Sequence, residues 1–215
     1  MPAEGAFIVV DGVDGAGKGT QITMLRDALL SRGRAAHVTA EPSTWPIGAL
    51  IRRYLRSELP ESLPGAASMA LLFAADRMQH LEHEILPHLS RGEIVLCDRY
   101  DASSIAYQSA TAAGDEAARD RMMAWVAELN ARARRPDLTV VLDLPVELAA
   151  ERRAARGAKA ELFERLELQR RIRAQYAKLP RVRPDDSIVV VDASPSIDEV
   201  HETLLARVLA RLATT

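Results

Sequence analysis

Five short runs of β-branched and other apolar residues recur along the chain, at intervals that leave room for a helix between them. Apolar runs of this length are typical of the buried strands of a parallel sheet, and strands that alternate with helices are typical of α/β folds. We therefore predict an α/β fold with a five-stranded parallel sheet flanked by helices and a short lid segment. The predicted strands are residues 7–10, 36–39, 94–97, 138–142 and 188–191.

The segments between these runs show the apolar period of amphipathic helices. Three of the strands end directly on an aspartate, at Asp98, Asp143 and Asp192. Open α/β sheets bind ligands at the carboxyl ends of their strands, so these positions are candidates for a site. A length of 215 residues is enough for one such core and short for two, so we predict a single domain over 1–215. The predicted helices are residues 18–32, 47–57, 66–90, 116–134, 146–156, 161–178 and 196–212.

Composition excludes several classes of partner. The formal net charge is −2, which favours neither a nucleic acid nor an anionic membrane. No apolar run approaches the roughly 20 residues that cross a bilayer, and the first residues lack the basic and apolar regions of a signal peptide. The single cysteine, Cys97, cannot form an internal disulfide and fits a reducing compartment. We expect a cytoplasmic protein.

The loop after the first strand carries a phosphate-binding motif. Residues 12–20 read Gly-Val-Asp-Gly-Ala-Gly-Lys-Gly-Thr, which matches G-x-x-x-x-G-K between a predicted strand and a predicted helix. Glycines let backbone N–H groups converge on phosphate oxygens, and the following helix directs its positive end at the same point. The alternative is a glycine-rich turn without a ligand. The predicted ATP-binding residues are Gly12, Gly15, Ala16, Gly17, Lys18, Gly19 and Thr20.

The hydroxyl that usually binds Mg²⁺ in this motif is displaced by one position. Gly19 stands where a serine or threonine is usual, and Thr20 follows it. Phosphoryl transfer from a nucleoside triphosphate needs Mg²⁺ as cofactor. The candidate metal ligands are Thr20 and Asp98, directly or through water, with Asp14 as an alternative nearby.

Three segments resemble thymidylate kinases in order and spacing. They are residues 11–18 (Asp-Gly-Val-Asp-Gly-Ala-Gly-Lys), 72–77 (Leu-Phe-Ala-Ala-Asp-Arg) and 98–108 (Asp-Arg-Tyr-Asp-Ala-Ser-Ser-Ile-Ala-Tyr-Gln). The resemblance extends over residues 7–212 and implies a kinase that transfers the γ-phosphoryl group of MgATP to dTMP, working as a homodimer. Two other functions stay open: a kinase of another nucleoside monophosphate, and a nucleotide-binding module with reduced transfer activity.

The resemblance implies roles for residues at both ends of dTMP. Phe73 stacks on the thymine and Arg77 donates to its carbonyl edge, and their spacing of four places them on one face of a predicted helix. Taken alone, this pair could instead be a core residue and a surface charge. Arg99 holds the phosphate of dTMP, and Asp14 acts with Lys18 and Arg99 in catalysis.

The resemblance also lines the pocket for sugar and base with Ser104, Tyr107 and Gln108. A tyrosine under the sugar would disfavour a 2′-hydroxyl. Glu41 lies in Glu-Pro-Ser-Thr, where bacterial members usually have Arg-Glu-Pro-Gly-Gly, and it could bind the metal or fix Arg99. The alternative for the three pocket residues is ordinary helix packing.

A basic stretch late in the chain resembles the lid of the family. Residues 145–183 hold eleven Lys/Arg against five Asp/Glu, and the lid is predicted at about 151–165. The P-loop lacks the arginine of eukaryotic members, and Leu162 stands where the lid usually has one. Arg153 and Arg156 are therefore the predicted catalytic cations. For most other arginines of this stretch a solvated helix is the alternative.

Three histidines and a glutamate on the third predicted helix suggest a metal site at first sight. They are His80, His83, Glu84 and His88. The spacing does not match H-E-x-x-H, and Pro87 is expected to break the helix before His88. We predict a solvated helix face here.

Overall fold

The five apolar runs are strands of one sheet in the structure, a computed structural model that describes residues 5–59, 64–155 and 162–214. All strand pairs are parallel, and the order across the sheet is β2-β3-β1-β4-β5, so the predicted α/β fold is confirmed. The strands are β1 (Phe7–Gly12), β2 (Ala36–Ala40), β3 (Ile94–Asp98), β4 (Leu138–Asp143) and β5 (Ile188–Asp192).

The central strand β1 divides its side chains between two apolar layers. Ile8 and Val10 belong to one core cluster, while Phe7 and Val9 belong to the other. This is the alternation that strand geometry imposes, and it explains why a strand covered on both faces is a continuous apolar run. The edge strands β2 and β5 are only half-buried.

Helices cover both faces of the sheet. They are α1 (Lys18–Leu30), α2 (Pro46–Leu55), α3 (Ala66–His80), α4 (Leu86–Ser90), α5 (Asp101–Thr111), α6 (Glu116–Leu129), α7 (Val146–Ala154), α8 (Leu162–Tyr176), α9 (Leu179–Val182) and α10 (Ile197–Leu212). Of these, α5 and the short α9 lie outside the predicted amphipathic segments. Nine residues of α5 are buried, including Ser103, Ser104, Gln108 and Ser109, so its polar side chains do not mark a solvent-exposed face.

The prediction for the histidine group is wrong in two respects. Pro87 does not end the helical path, because α3 continues through a π-helical turn, Leu81–Ile85, into α4. Pro87 lies in the first turn of α4, where a missing N–H costs no hydrogen bond within that helix. His80 is fully buried and is hydrogen-bonded to Thr39. In the described part of the chain no His, Cys, Asp or Glu side chains cluster as a metal site.

The topology puts a crevice at the carboxyl end of β1. This strand pairs with β3 on one side and β4 on the other, with Val10 opposite Asp98 and Gly12 opposite Leu142. Chain connections leave in opposite directions on the two sides of β1, which is where doubly wound sheets bind ligands. Among the described residues, no helix has the length and apolar character needed to cross a membrane.

Candidate active site

The loop between β1 and α1 is shaped by glycines, and two of them could not carry a side chain without a clash. Gly12 and Gly15 have φ angles of 134° and 96°. A Cβ on Gly12 would lie 2.5 Å from the carbonyl oxygen of Leu142, and one on Gly15 would lie 2.5 Å from that of Ala149. Gly17, with φ of 92°, precedes α1 as its N-cap. The chain therefore curls tightly between β4 and α7 before it enters the helix.

Lys18 begins α1 and folds back over this loop. Its Nζ donates to the carbonyl oxygens of Gly12 (3.2 Å) and Val13 (3.1 Å). Burial, together with the nearby charge of Arg99, lowers the pKa of Lys18 to about 8. Among the other predicted ATP-binding residues, Ala16 is buried, whereas Gly19 and Thr20 are exposed at the start of α1.

Arg99 follows β3 and lies across the same loop. Its backbone has a φ of 70°, unusual for a residue with a side chain. The guanidinium donates to the carbonyl oxygen of Gly12 (3.2 Å), to Oδ1 of Asp14 (2.5 Å) and to the Tyr107 hydroxyl (3.1 Å). It also donates to Ser103 Oγ at 3.0 Å. Arg99 thus joins β3, α5 and the P-loop in one cluster.

Two carboxylates flank these cations and differ in pKa. Burial acts to raise the pKa of Asp14, but Arg99 and Lys18 outweigh it, so the pKa is lowered. For Asp98, burial prevails over the same two cations and the pKa is raised. Asp98 Oδ1 is buried and has no hydrogen-bond partner. Gln169 on α8 pairs with Asp14, accepting from its backbone N–H (3.4 Å) and donating to Oδ2 (3.3 Å).

A fully buried carboxylate, Asp11, lies beneath the loop and was not predicted as a site residue. Its Oδ1 accepts from the Tyr176 hydroxyl (2.6 Å), Ser103 Oγ (2.6 Å) and the backbone N–H of Gly12 (2.9 Å). Tyr176 belongs to α8, so this contact ties that helix to the end of β1, where the P-loop begins. The sequence signal was an aspartate at the end of an otherwise apolar strand; the partner 165 positions away has no local signal.

A cavity of about 460 Å³ opens beside Asp14 of the P-loop and Arg99. Its lining is largely apolar and includes Phe73 of α3 and Met69 one turn earlier. Seven of the eight predicted substrate residues line it: Asp14, Glu41, Phe73, Arg99, Ser104, Tyr107 and Gln108. The remaining lining residues are Pro42, Leu55, Pro64, Gly65, Ala66, Tyr100, Ser103 and Thr111.

Polar groups in this cavity are placed with unused hydrogen-bonding capacity. Gln108 is 6% exposed, and its Oε1 is buried without a partner. Ser104 Oγ accepts from Arg77 at 3.1 Å, which leaves its own proton available to a ligand. The Tyr107 ring lies under the Arg99 guanidinium, 4.9 Å from its carbon to the ring centroid.

Arg77 lies behind the cavity wall and is not among the residues that line it. It is 1% exposed, so it is not a surface charge. Its Nη2 donates to Glu41 Oε2 (2.6 Å) and its Nη1 to Oδ1 of Asn130 at the end of α6 (2.5 Å). Glu41 acts against the burial of the guanidinium, and the pKa of Arg77 is raised. Asn130 was not predicted as a site residue.

Two arginines of the predicted lid lie on α7. Arg153 donates to the backbone carbonyl of Asp14, and its side chain packs beside Gly15. Arg152, which was not predicted as a site residue, donates to the carbonyl oxygens of Ala193 (2.9 Å) and Ser194 (3.3 Å) after β5. Arg156, the other predicted lid cation, lies outside the described residues.

The sequence matches a known protein family along most of its length. The family model described as thymidylate kinase matches residues 10–204. A "Probable thymidylate kinase" of Pyrococcus abyssi is 40% identical over 206 residues, which cover 95% of this chain and 96% of the relative. The "Thymidylate kinase" of Geotalea uraniireducens is 36% identical over 217 residues, covering 97% of this chain and 99% of the relative.

Proposed function

The chain belongs to the thymidylate kinase family, and from this premise we propose that its cavity is the dTMP site and its P-loop the ATP site. The reaction is transfer of the γ-phosphoryl group of ATP to the 5′-phosphate of dTMP, which gives dTDP. The observation that supports this arrangement is that the apolar cavity and the P-loop meet at Asp14 and Arg99. A monophosphate with its base in the cavity would present its phosphate to the loop.

The far end of the cavity suits a pyrimidine with two carbonyl groups. Phe73 offers an aromatic face for stacking. The unpartnered Oε1 of Gln108 is an acceptor for the N3–H of thymine, a proton that cytosine lacks. Ser104 can donate its proton to a thymine carbonyl, because its oxygen already accepts from Arg77. In this arrangement Arg77 acts on the base through Ser104 and Glu41.

Catalysis at the other end needs charge neutralisation and no strong base, because a phosphate oxygen is already a nucleophile. Lys18 and Arg99 now donate to loop carbonyls, and both can turn to phosphate oxygens, which bear full charge and are stronger acceptors. Asp14 orients Arg99 through its 2.5 Å contact. Arg153 is the described lid-side cation nearest the loop, bonded to the carbonyl of Asp14.

The residues present fit a Mg²⁺ ion bound with the nucleotide. Asp98 Oδ1 is buried at the end of β3 without a hydrogen-bond partner, and a carboxylate oxygen is the ligand that Mg²⁺ prefers. Asp98 would hold the ion or its water, and Thr20, which is exposed in the first turn of α1, is the second candidate ligand. A bound Mg²⁺ would neutralise charge on the phosphates of the donor.

We also propose that the chain forms a homodimer through α3 and α6. Leu71 and Met78, two turns apart on α3, are 52% and 48% exposed, and Trp125 on α6 is 38% exposed. Apolar residues of this size on neighbouring helices form a surface that association would bury. Light scattering of the wild type and of Leu71→Glu tests the dimer.

The chain is proposed to be one cytoplasmic domain, in keeping with the unpaired, buried Cys97.

A coupled assay with ATP and five acceptors tests the proposed function. We expect dTMP to have the highest kcat/KM among dTMP, dUMP, dCMP, AMP and GMP. Because dUMP lacks the 5-methyl group, its kcat/KM should be lower than that of dTMP by a factor that corresponds to about 1–3 kcal/mol. Gln108→Leu should raise KM for dTMP and narrow its advantage over dCMP, since the acceptor for N3–H is gone. If dCMP or AMP has a higher kcat/KM than dTMP in the wild type, the acceptor assignment is wrong.

A further inference from the structure

Asn130 is locked in place at the end of α6, behind the base end of the cavity. It is 3% exposed. Its Nδ2 donates to the carbonyl oxygen of Val126 at 2.7 Å, and its backbone N–H donates to the same oxygen at 3.3 Å. Its Oδ1 accepts from Nη1 of Arg77. Turning the amide over would set its NH₂ group against the guanidinium, so this network admits a single orientation.

That orientation fixes the plane of the Arg77 guanidinium, whose other described hydrogen bonds are made to residues that line the cavity. Arg77 is planar and rigid, so fixing Nη1 also directs Nη2. Nη2 donates to Glu41 Oε2 at 2.6 Å and to Ser104 Oγ at 3.1 Å. The Tyr100 ring lies 4.9 Å from the guanidinium carbon and limits movement out of the plane. Both acceptors of Nη2, Glu41 and Ser104, line the cavity.

We propose that Asn130 is a positioning residue for acceptor binding, acting through Arg77 on Glu41 and Ser104. It touches no part of the cavity itself and lies 53 positions from Arg77 in sequence. Without its oxygen, Arg77 has a free Nη1 and can rotate about its remaining contacts, so Ser104 loses a fixed donor. This inference rests on the proposed function, because it assumes that the cavity holds dTMP.

The first test is steady-state kinetics of Asn130→Ala. We expect KM for dTMP to rise about tenfold, as when a hydrogen bond to a charged group is lost. The kcat at saturating dTMP and the KM for ATP should stay within about twofold, since the P-loop is not touched. Asn130→Asp keeps an oxygen toward Arg77 but sets its other oxygen against the carbonyl of Val126, so it should restore part of the affinity for dTMP. If Asn130→Ala does not fold, Asn130→Gln displaces the amide by one methylene and carries the same expectation.

Ser109→Ala is the matched control for a buried polar group near the cavity. Ser109 is fully buried on α5, and its hydroxyl donates to the carbonyl oxygens of Ile105 and Ala106 in its own helix. Its removal should leave KM for dTMP unchanged. A rise in KM equal to that of Asn130→Ala would mean that any buried polar loss loosens the cavity, and would overturn the proposal.

A double-mutant cycle tests whether the effect passes through Arg77. In an Arg77→Gln background, Asn130→Ala should change KM for dTMP by less than about twofold, because its partner is gone. The same tenfold change in both backgrounds would overturn the proposal. Its failure differs from failure of the proposed function: a wild type inactive on dTMP contradicts the function, whereas an active enzyme with unchanged KM in Asn130→Ala contradicts this inference alone.

Discussion

The two ends of the cleft hold their arginine and lysine side chains by different kinds of partner. At the phosphate end, Lys18 and Arg99 both donate to the carbonyl oxygen of Gly12, and Arg99 also pairs with Asp14, whose side chain is 48% exposed. At the base end, Arg77 donates to the side chains of Glu41 and Asn130. Phosphate can displace a neutral carbonyl, and water can solvate the half-exposed Asp14, whereas the buried Glu41 would be left as an unpaired charge. The cations that move onto a ligand thus have partners that tolerate their loss, and Arg77, which stays in place, has a partner that does not.

The ends also differ in what fixes their geometry. The phosphate end depends on backbone conformation, with positive φ angles at Gly12, Gly15, Gly17 and Arg99. The base end depends on side chains that pair across α3, α5 and α6. Substitutions at the base end should therefore lower stability, and substitutions of cations at the phosphate end should lower turnover.

The largest expected effect is on stability, from Glu41→Gln. Both Glu41 and Arg77 have side chains no more than 2% exposed, and the substitution leaves the Arg77 charge buried without its counter-charge. We expect the free energy of unfolding to fall by about 3–5 kcal/mol, measured by urea denaturation. Glu58→Gln is the control, because its pair with Arg56 is solvent-exposed and long, 3.7 Å, and should contribute about 0–1 kcal/mol. Equal losses in the free energy of unfolding of the two variants would contradict the strong pairing inferred for the buried Arg77.

The next effect is on turnover, from Lys18→Ala and Arg99→Ala. Each removes a cation that meets charge developing on the transferred phosphoryl group, so kcat should fall about 10²–10³-fold or more. The loss of stability should be smaller than for Glu41→Gln. Lys18 leaves behind loop carbonyls, and the carboxylate that Arg99 leaves behind, Asp14, is 48% exposed and can be solvated. Arg26→Ala, which removes an exposed cation from α1, is the control. A folded Lys18→Ala or Arg99→Ala enzyme with wild-type kcat would contradict the role of that residue.

Arg153→Ala should have the same kind of effect, at a smaller size. In the described part of the chain, its guanidinium is hydrogen-bonded to the P-loop at the carbonyl of Asp14. We expect kcat to fall at least about tenfold with little change in KM for dTMP, the signature of a contact made in the transition state. Arg170→Ala is the control, because Arg170 is exposed and paired with Glu147 at 2.8 Å. Arg156→Ala belongs in the same series as the other predicted lid cation. Equal small effects in all three variants would mean that none of these arginines is the lid cation.

The pH dependence of ATP use should report Lys18. With its pKa lowered to about 8 by burial and by Arg99, the free enzyme loses this charge as pH rises through 8. The kcat/KM for ATP, which reflects the free enzyme, should therefore fall about tenfold by one pH unit above that value. In Lys18→Arg the guanidinium stays charged, so any remaining activity should not show this fall. A wild-type profile that stays level to pH 10 would contradict the lowered pKa.

The contrast between the ends also explains how much the sequence could predict. The five strands and the P-loop depend on local pattern, and both the sheet and the fold class are confirmed. Helix α5 was missing from the predicted amphipathic segments because its serines and its glutamine are buried, so polar residues do not mark a solvent-exposed face there. The exposure of His80 was predicted wrongly because its partners Thr39 and Glu41 lie about 40 positions away.

The base-end network shows the same limit at the level of a site. Arg77 was identified by resemblance, but its place behind the cavity is set by Asn130, whose position at a helix end gives no local signal. Likewise, Tyr176 reaches Asp11 only because α8 packs over the P-loop in three dimensions. Local motifs thus predicted which residues gather at the cleft, and long-range pairing decided which of them face it.

The smallest expected effect isolates backbone conformation, through the glycines on either side of Lys18. A Cβ would meet nothing within 4 Å at Gly17 or at Gly19, so neither position excludes alanine by contact. They differ in backbone alone: Gly17 has a φ of 92°, and Gly19 is helical, in the first turn of α1. Gly17→Ala should therefore lower the free energy of unfolding by about 1 kcal/mol. Gly19→Ala should raise it by about 0.5–1 kcal/mol, the helix preference of alanine over glycine. Thermal or urea unfolding of the two variants measures the difference, and a shared sign would show that the positive φ at Gly17 is not required by the loop.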